Sequence, residues 1–466
     1  MELIAEETLH DILLKLPTRD VARCRCVCKP WRRLLSAPSF CRLHARAGSV
    51  SGGAEALLVS QARRRGKTME TNVLSVSSPK AMCRVVDLAE GYRVMSVCNG
   101  FIVLASGEKE DPSKSGIWDP LFVCNPVTGE KLEVPAPPAL KSAGRHLFAM
   151  GFCAMSNGNH QYKLFRLPFH EHESTTTDDN HLDVYTFGGG GGRWRRHPYP
   201  FRREGVCWAG SPPVLVDGKI YVLTKHKDYV TTPNNVVVID VASEAHHIYY
   251  LMMNQRTTDA GMCMLDLGGQ PCIAVHVPIP YHPGGHSELH LWVMPTPQLV
   301  QGARQPRLEK KLLGHWTRRY SFSCDRGPIA YTRGYEVAPM GIWVEGGGIV
   351  CCIIGDYQYK YDTAKHKDDE HKDDEDVGGG RFSAWDQKLR LPSPPNGCYK
   401  RRGIYGGYRP TLLSPADLAA QQDDDVDKQF QQAWLHALRC PKSSDQCPDN
   451  GSDKHVAKRR RKIQQH

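Results

Sequence analysis

No stretch of the chain approaches the roughly 20 consecutive apolar residues that a membrane-spanning helix needs; the longest runs are of the kind Ile349-Val350-Cys351-Cys352-Ile353-Ile354. Met1 to Glu7 contains no basic segment followed by an apolar one, so no secretory signal is read and a soluble intracellular protein is expected. Catalytic signatures are also missing. There is no G-x-S-x-G elbow and no H-E-x-x-H, and Gly66-Lys67-Thr68 has Gln61 where a phosphate-binding loop requires glycine. The run Gly188 to Gly192, between Tyr185-Thr186-Phe187 and Trp194, reads as a hairpin loop because no helix follows to receive a phosphate. Among 17 cysteines no two are spaced C-x-x-C. On a helix, two-residue steps turn Cys26 away from Cys24 and Cys28, so they do not converge on a zinc ion. The cysteines are therefore expected to be buried, reduced thiols. His170 with His172, and His282 with His286, sit in acidic or Pro/Gly-rich loops without a full ligand set, so neither a metal nor another cofactor is expected. An enzyme has no positive support.

What is present begins at the N-terminus. Leu9, Ile12, Leu13 and Leu16 recur at i, i+3, i+4 and i+7, one apolar stripe of a helix that Pro17 ends. Thr18 is a candidate N-cap for a second helix, with Asp20 in its first turn where the dipole favours a carboxylate. That helix would carry Val21, Cys24, Val27, Cys28 and Trp31 at helical spacing; Pro30 fits best as the first residue of a third helix with Trp31, Leu34 and Leu35. Phe40 and His44 follow on a last short turn after Pro38. So small a unit buries too little surface to stand alone. A partner would supply the missing burial, or the stripes pack on the rest of the chain.

From about residue 55 to 395 the texture changes to short β-branched and aromatic runs separated by Gly, Pro, Asn and Asp. Asp217-Gly218, between Val214-Leu215-Val216 and Lys219-Ile220-Tyr221-Val222-Leu223, is a hairpin signal because both residues tolerate positive φ. Strands ending Val123-Cys124-Asn125-Pro126, Val184-Tyr185-Thr186, Val238-Ile239-Asp240 and Leu291-Trp292-Val293 recur at roughly 50 to 60 residues, as propeller blades would. A two-sheet sandwich is the alternative. Lys365 to Glu370 is nearly copied in His371 to Asp376, a charged insert that can bury nothing. The formal net charge of +10 is partly local, in Arg63-Arg64-Arg65, around Arg195-Arg196, and in Lys458-Arg459-Arg460-Arg461-Lys462, which reads as a nuclear-import candidate or a nucleic-acid contact.

These readings give a multidomain α+β chain: a small helical domain at 1–45, a linker at 46–56, and a large all-β domain at 57–395, expected to be a propeller, with the charged insert at 365–380. A mostly disordered tail follows at 396–466, with a short helix at 429–438 and the basic end at 458–462.

The N-terminal pattern resembles an F-box. Ile12-Leu13, Leu16-Pro17, Val21, Val27-Cys28-Lys29, Trp31-Arg32, Ser36, Pro38, Phe40 and His44 fall on that family's positions; Ile4-Ala5 departs from its usual Leu-Pro. The middle resembles the F-box-associated domain of plant F-box proteins, through Cys98-Asn99-Gly100-Phe101, Val123-Cys124-Asn125-Pro126-Val127-Thr128-Gly129, Gly151-Phe152 with Tyr162-Lys163-Leu164, and Val214 to Val222. The resemblance implies a kelch-like propeller that recruits a protein for ubiquitination, and an F-box that binds Skp1 and through it a cullin. Its Skp1 contacts would be Leu9, Ile12, Leu13, Leu16, Pro17, Val27, Cys28 and Trp31. The chain is then expected to be a non-catalytic adaptor of an SCF-type (Skp1, cullin, F-box) ubiquitin ligase in nucleus and cytoplasm, acting on an unknown target protein without membrane or nucleic acid. The alternative is a nuclear propeller-type scaffold that contacts nucleic acid through its basic tail.

Overall fold

A computed structural model of the chain describes residues 6–51, 55–63, 68–75, 86–89, 92–106, 121–138, 145–154, 160–169, 181–188, 192–198, 206–208, 211–226, 235–251, 261–278, 287–294, 312–313, 316–324, 341–345, 349–354, 357–362, 387–390 and 399–418. Two units are distinguished: 1–13 with 422–466, and 14–421. Among the described residues four helices come first, α1 (Glu6–Lys15), α2 (Thr18–Cys24), α3 (Lys29–Leu35) and α4 (Pro38–Ser51). Prolines punctuate them. Pro17 sits between α1 and α2, while Pro30 and Pro38 occupy first turns, where a missing N–H costs nothing.

Three expectations need correction in this region. Thr18 is not the N-cap of α2; Pro17 holds that position without a side-chain cap, and the Thr18 hydroxyl donates elsewhere. The helix stops at Cys24, so Cys26 and Cys28 lie in the α2–α3 turn and are exposed rather than buried. The segment after Pro38 is a 14-residue helix that continues through the expected linker as far as Ser51.

Six sheets follow. The first holds Tyr399–Tyr408, Glu55–Arg63, Thr68–Ser75 and Val86–Ala89; the second Tyr92–Cys98, Phe101–Ser106, Leu121–Cys124 and Lys131–Val134. The third holds Arg145–Ala154, His160–Phe169, His181–Thr186 and Trp194–Pro198. The fourth runs Val206–Trp208, Lys219–His226, Asn235–Asp240, His246–Tyr250 and Leu312–Leu313, with Val214–Val216 beside its second strand. The fifth is Gly261–Asp266, Pro271–Pro278, Ser287–Val293 and Thr317–Cys324; the sixth is Gly341–Glu345, Ile349–Ile354, Tyr357–Asp362 and Gln387–Arg390. The four recurring strands read from the sequence are the third strands of sheets two to five.

The packing shows how the sheets close on one another. Alternate residues of a strand point to opposite faces, and here both faces are covered. Ile102 and Leu104 pack with Leu57 and Val59 of the first sheet, whereas Phe101 and Val103 pack with Phe148 and Met150 of the third. Leu147 and Ala149 meet Ile220 and Val222 of the fourth, whose Leu223 and Val236 meet Ile273 and Val275 of the fifth. Leu289 and Leu291 meet Ile342 and Val350 of the sixth, and Trp343 with Cys351 meets Ala56 and Leu58 of the first. The sixth interface returns to the first sheet, so the sheets form a ring, as in a propeller. Burial on both faces explains why Phe101 to Leu104 is a continuous apolar run instead of an alternating one.

Ring closure corrects the expected domain boundaries. The β domain starts at Glu55 and does not end at 395, because Tyr399–Tyr408 pairs antiparallel with Glu55–Arg63, for example Ile404 with Leu58. That strand carries Gly403, Gly406 and Gly407 and has no apolar alternation to announce it; its partner strand supplies its conformation. Residues 409–418 continue the packed region, ending in a 3₁₀ turn at Pro415–Leu418. The charged insert, the helix at 429–438 and the basic run 458–462 lie outside the described residues.

Candidate partner-binding surface

The helices divide their side chains between an inner and an outer side. Val21, Leu35, Phe40, Cys41 and His44 are buried. The His44 ring donates from Nε2 to the Leu16 carbonyl at 2.9 Å, and burial, which disfavours imidazolium, holds its pKa below the usual histidine value despite that bond. Arg25 turns inward, donating from Nε and Nη2 to the Leu35 carbonyl at 3.0 and 2.7 Å. It thereby satisfies the C-terminal end of α3, where carbonyls lack helical partners. Arg25 also reaches the Cys41 thiol, which burial pushes up to about 11 and keeps protonated.

With Arg25 committed inward, the rest of the α2–α3 turn faces solvent. Val27 is 68% exposed, and Pro17, Cys28 and Pro30 are exposed. Leu16 and Trp31 are half-buried. In α1, Ile12 is 43% exposed and Leu13 only 2%; the Leu9 side chain lies outside the described residues. Of the residues expected to touch a partner, Leu13 is thus placed in the chain's own packing, whereas Ile12, Pro17, Val27 and Cys28 offer surface. Among the described residues, Ile12 and Val27 are the large hydrophobic side chains left exposed. Four exposed cations, Arg23, Lys29, Arg32 and Arg33, accompany Val27 on α2 and α3.

The first 45 residues and the β region have counterparts among known proteins. A model of the F-box domain matches residues 3–43, and a model of the F-box associated beta propeller domain matches residues 50–298. The chain belongs to the plant F-box proteins with an F-box-associated propeller domain. An F-box/LRR-repeat protein of Arabidopsis thaliana is 26% identical over 277 residues, 56% of this chain and 59% of the relative. An F-box protein of the same plant is 23% identical over 330 residues, covering 64% of this chain and 70% of the relative. The chain therefore spans about three fifths of the length of the first of these relatives. The last strand of the fifth sheet, all of the sixth sheet and the closing strand Tyr399–Tyr408 fall beyond the matched propeller region.

The F-box is joined to its propeller by specific polar contacts. The Thr18 hydroxyl of α2 donates to the Pro410 carbonyl at 3.1 Å. Next to it, Arg19 Nη2 lies 2.6 Å from Glu55 Oε2, which also accepts from the Ser75 hydroxyl at 2.6 Å. The pair is largely shielded, with side chains 18% and 23% exposed, so it is screened less than a surface pair. Sequence reasoning missed Thr18, Arg19 and Glu55, because their roles depend on the strand Tyr399–Tyr408 returning beside Glu55.

A second feature is the axial cavity of about 1480 Å³ that the ring encloses. Cys98, Phe152 and Met264 line it together with Asp217, Asp266 and Arg409. Radial repetition of sheets leaves such a channel, and its charges are of both signs. Among the described residues no three His, Cys, Asp or Glu side chains converge as metal ligands.

Proposed function

We propose that this F-box protein is a substrate-recognition adaptor of an SCF-type ubiquitin ligase, with the helical domain binding a Skp1-type protein, and through it a cullin, while the propeller holds the target. The family is in general a non-catalytic adaptor, and adaptor chemistry asks for no nucleophile. Holding a target lysine beside a charged ubiquitin carrier makes an intermolecular step effectively intramolecular, and proximity supplies the rate.

The observation that carries the reading is the exposure of Val27 and Ile12 in a chain whose other large apolar side chains, among the described residues, are covered. Exposed apolar side chains with a polar surround mark interaction sites, and both fall on positions where F-box family resemblance implies contact with Skp1. Pro17, Cys28 and the outer part of Trp31 would extend the contact, with Trp31 suited to a central anchor. The test is co-purification with a Skp1-type protein, comparing the intact chain with Val27→Asp. Because Val27 supports nothing inside the fold, its replacement should leave circular dichroism unchanged. A charge buried in the contact should weaken binding by at least about tenfold. An intact chain that fails to bind, or a Val27→Asp chain that binds equally well, would refute the assignment.

A further inference from the structure

The two turns that carry the resemblance to F-box-associated domains, Cys98-Asn99-Gly100-Phe101 and Asn125-Pro126-Val127-Thr128-Gly129, converge on one short segment, Arg409 to Leu413. Asn125 is fully buried. Its amide donates to the Thr411 carbonyl at 2.9 Å and to the Leu413 carbonyl at 2.7 Å, while its Oδ1 accepts from the Val127 N–H at 2.8 Å. The side chain thus shapes its own turn with its oxygen and grips a segment 286 residues later with its nitrogen. Gly100, at φ +87°, allows the same segment to approach: a Cβ there would lie 2.3 Å from Thr411 Cγ2 and 2.7 Å from the Arg409 carbonyl oxygen.

Pro410, in the middle of that gripped segment, is the acceptor for Thr18 of the F-box. One step away, Arg19 pairs with Glu55, which is itself registered opposite Tyr408 at the end of the closing strand. Arg42 of α4 also acts electrostatically on Asp417 in the 3₁₀ turn, though burial is the larger influence on that carboxyl. The F-box rests on a platform whose backbone is fixed from below by Asn125 and Gly100.

We propose that these two turns form a seat that fixes the orientation of the F-box on the propeller, and that Asn125, Gly100, Thr18 and Arg19 are positioning residues of the adaptor. The role in ubiquitin transfer rests on the adaptor reading above; the seat itself does not. If rate comes from proximity, the angle between the two domains decides where a bound target lies relative to the ubiquitin carrier. Two bonds from the F-box, Thr18 to Pro410 and Arg19 to Glu55, on a segment that Asn125 holds at Thr411 and Leu413, define that angle better than a flexible linker would.

The experiment measures orientation in the free chain of 466 residues. Nitroxides are attached to p-acetylphenylalanine at Arg23 and Glu133, both exposed and lying on α2 and the second sheet, so that the native thiols are not labelled. Pulsed electron spin resonance then gives the distribution of distances between them. A single narrow peak is expected for the parent, with loss of that peak to a broad distribution in Asn125→Ala and in the double variant Thr18→Val with Arg19→Gln. The double variant removes only the F-box side of the seat, so it decides the matter if Asn125→Ala fails to fold. A narrow peak retained in the double variant, or a broad distribution in the parent, would overturn the proposal. Binding of a Skp1-type protein is measured in parallel and should be unchanged in both variants, since neither alters Val27 or Cys28. If no variant and no parent binds it, the adaptor reading fails while the distance result stands.

Discussion

Gly100 and Gly218 make a matched pair for testing whether the closing segment bears on the second sheet as tightly as the geometry implies. Each is the second residue of a two-residue hairpin, after Asn99 at φ +43° and Asp217 at φ +47°, and each has positive φ, +87° and +69°. An alanine at either position meets the left-handed penalty of about 1 kcal/mol that L-residues incur there. The surroundings differ. At Gly218 nothing lies within 4 Å of an added Cβ, whereas at Gly100 the Cβ falls 2.3 Å from Thr411 Cγ2 and 2.7 Å from the Arg409 carbonyl. The carbonyl belongs to backbone held by Asn125, so relief requires moving the segment. Overpacking of this kind costs about 1–3 kcal/mol. Gly100→Ala should therefore destabilise by roughly 2–4 kcal/mol and Gly218→Ala by about 1 kcal/mol. With an unfolding entropy of about 2.1 cal/mol/K per residue over a unit spanning 14–421, the difference of about 2 kcal/mol becomes roughly 2–3 °C in Tm. Calorimetric melts of the two variants beside the parent measure it. Equal melting temperatures for the two variants would refute the reasoning, because the shared backbone penalty would then account for everything.

Further outcomes follow from individual contacts. His44 is buried as neutral imidazole with its pKa below the unfolded value, so its contribution to stability is complete above about pH 6.5 and is lost as the pH falls through its folded pKa. Urea titrations at pH 7.5 and 5 should show a smaller acid loss in His44→Gln than in the parent, and identical losses would disprove the assignment. Glu244 gathers Lys163 at 2.8 Å, Arg195 at 2.6 Å and His197 at 2.8 Å. Burial pushes its carboxyl up, but the hydrogen bonds from Lys163 and Arg195 outweigh that and hold it below the usual carboxylate range. Glu244→Gln keeps an acceptor but leaves the buried Lys163 without a counter-charge and should cost about 3 kcal/mol in chemical denaturation, while Arg195→Gln, at a half-exposed position, should cost well under 1 kcal/mol.

The sequence determined the parts whose signals are local. Four apolar residues at helical spacing and a proline at 17 suffice for α1, because a helix is written in neighbouring side chains. Asp-Gly at 217–218 specifies a two-residue hairpin through the φ that each residue permits, and the recurrence of third strands announced repeated sheets. The tertiary structure decided what depends on residues far apart in the chain. The strand Tyr399–Tyr408 is glycine-rich and polar; only a vacant edge on Glu55–Arg63 makes it a strand, so it read as tail. Cys26, Val27 and Cys28 fit a helical pattern as well as a turn, and the inward commitment of Arg25 to the Leu35 carbonyl favours the turn that exposes them. Asn125 was visible as a turn former, with half its hydrogen-bonding capacity spoken for by Val127 and Thr128. Its other half goes to carbonyls at 411 and 413, a pairing that exists only once the ring of sheets has closed and brought the two ends of the domain together.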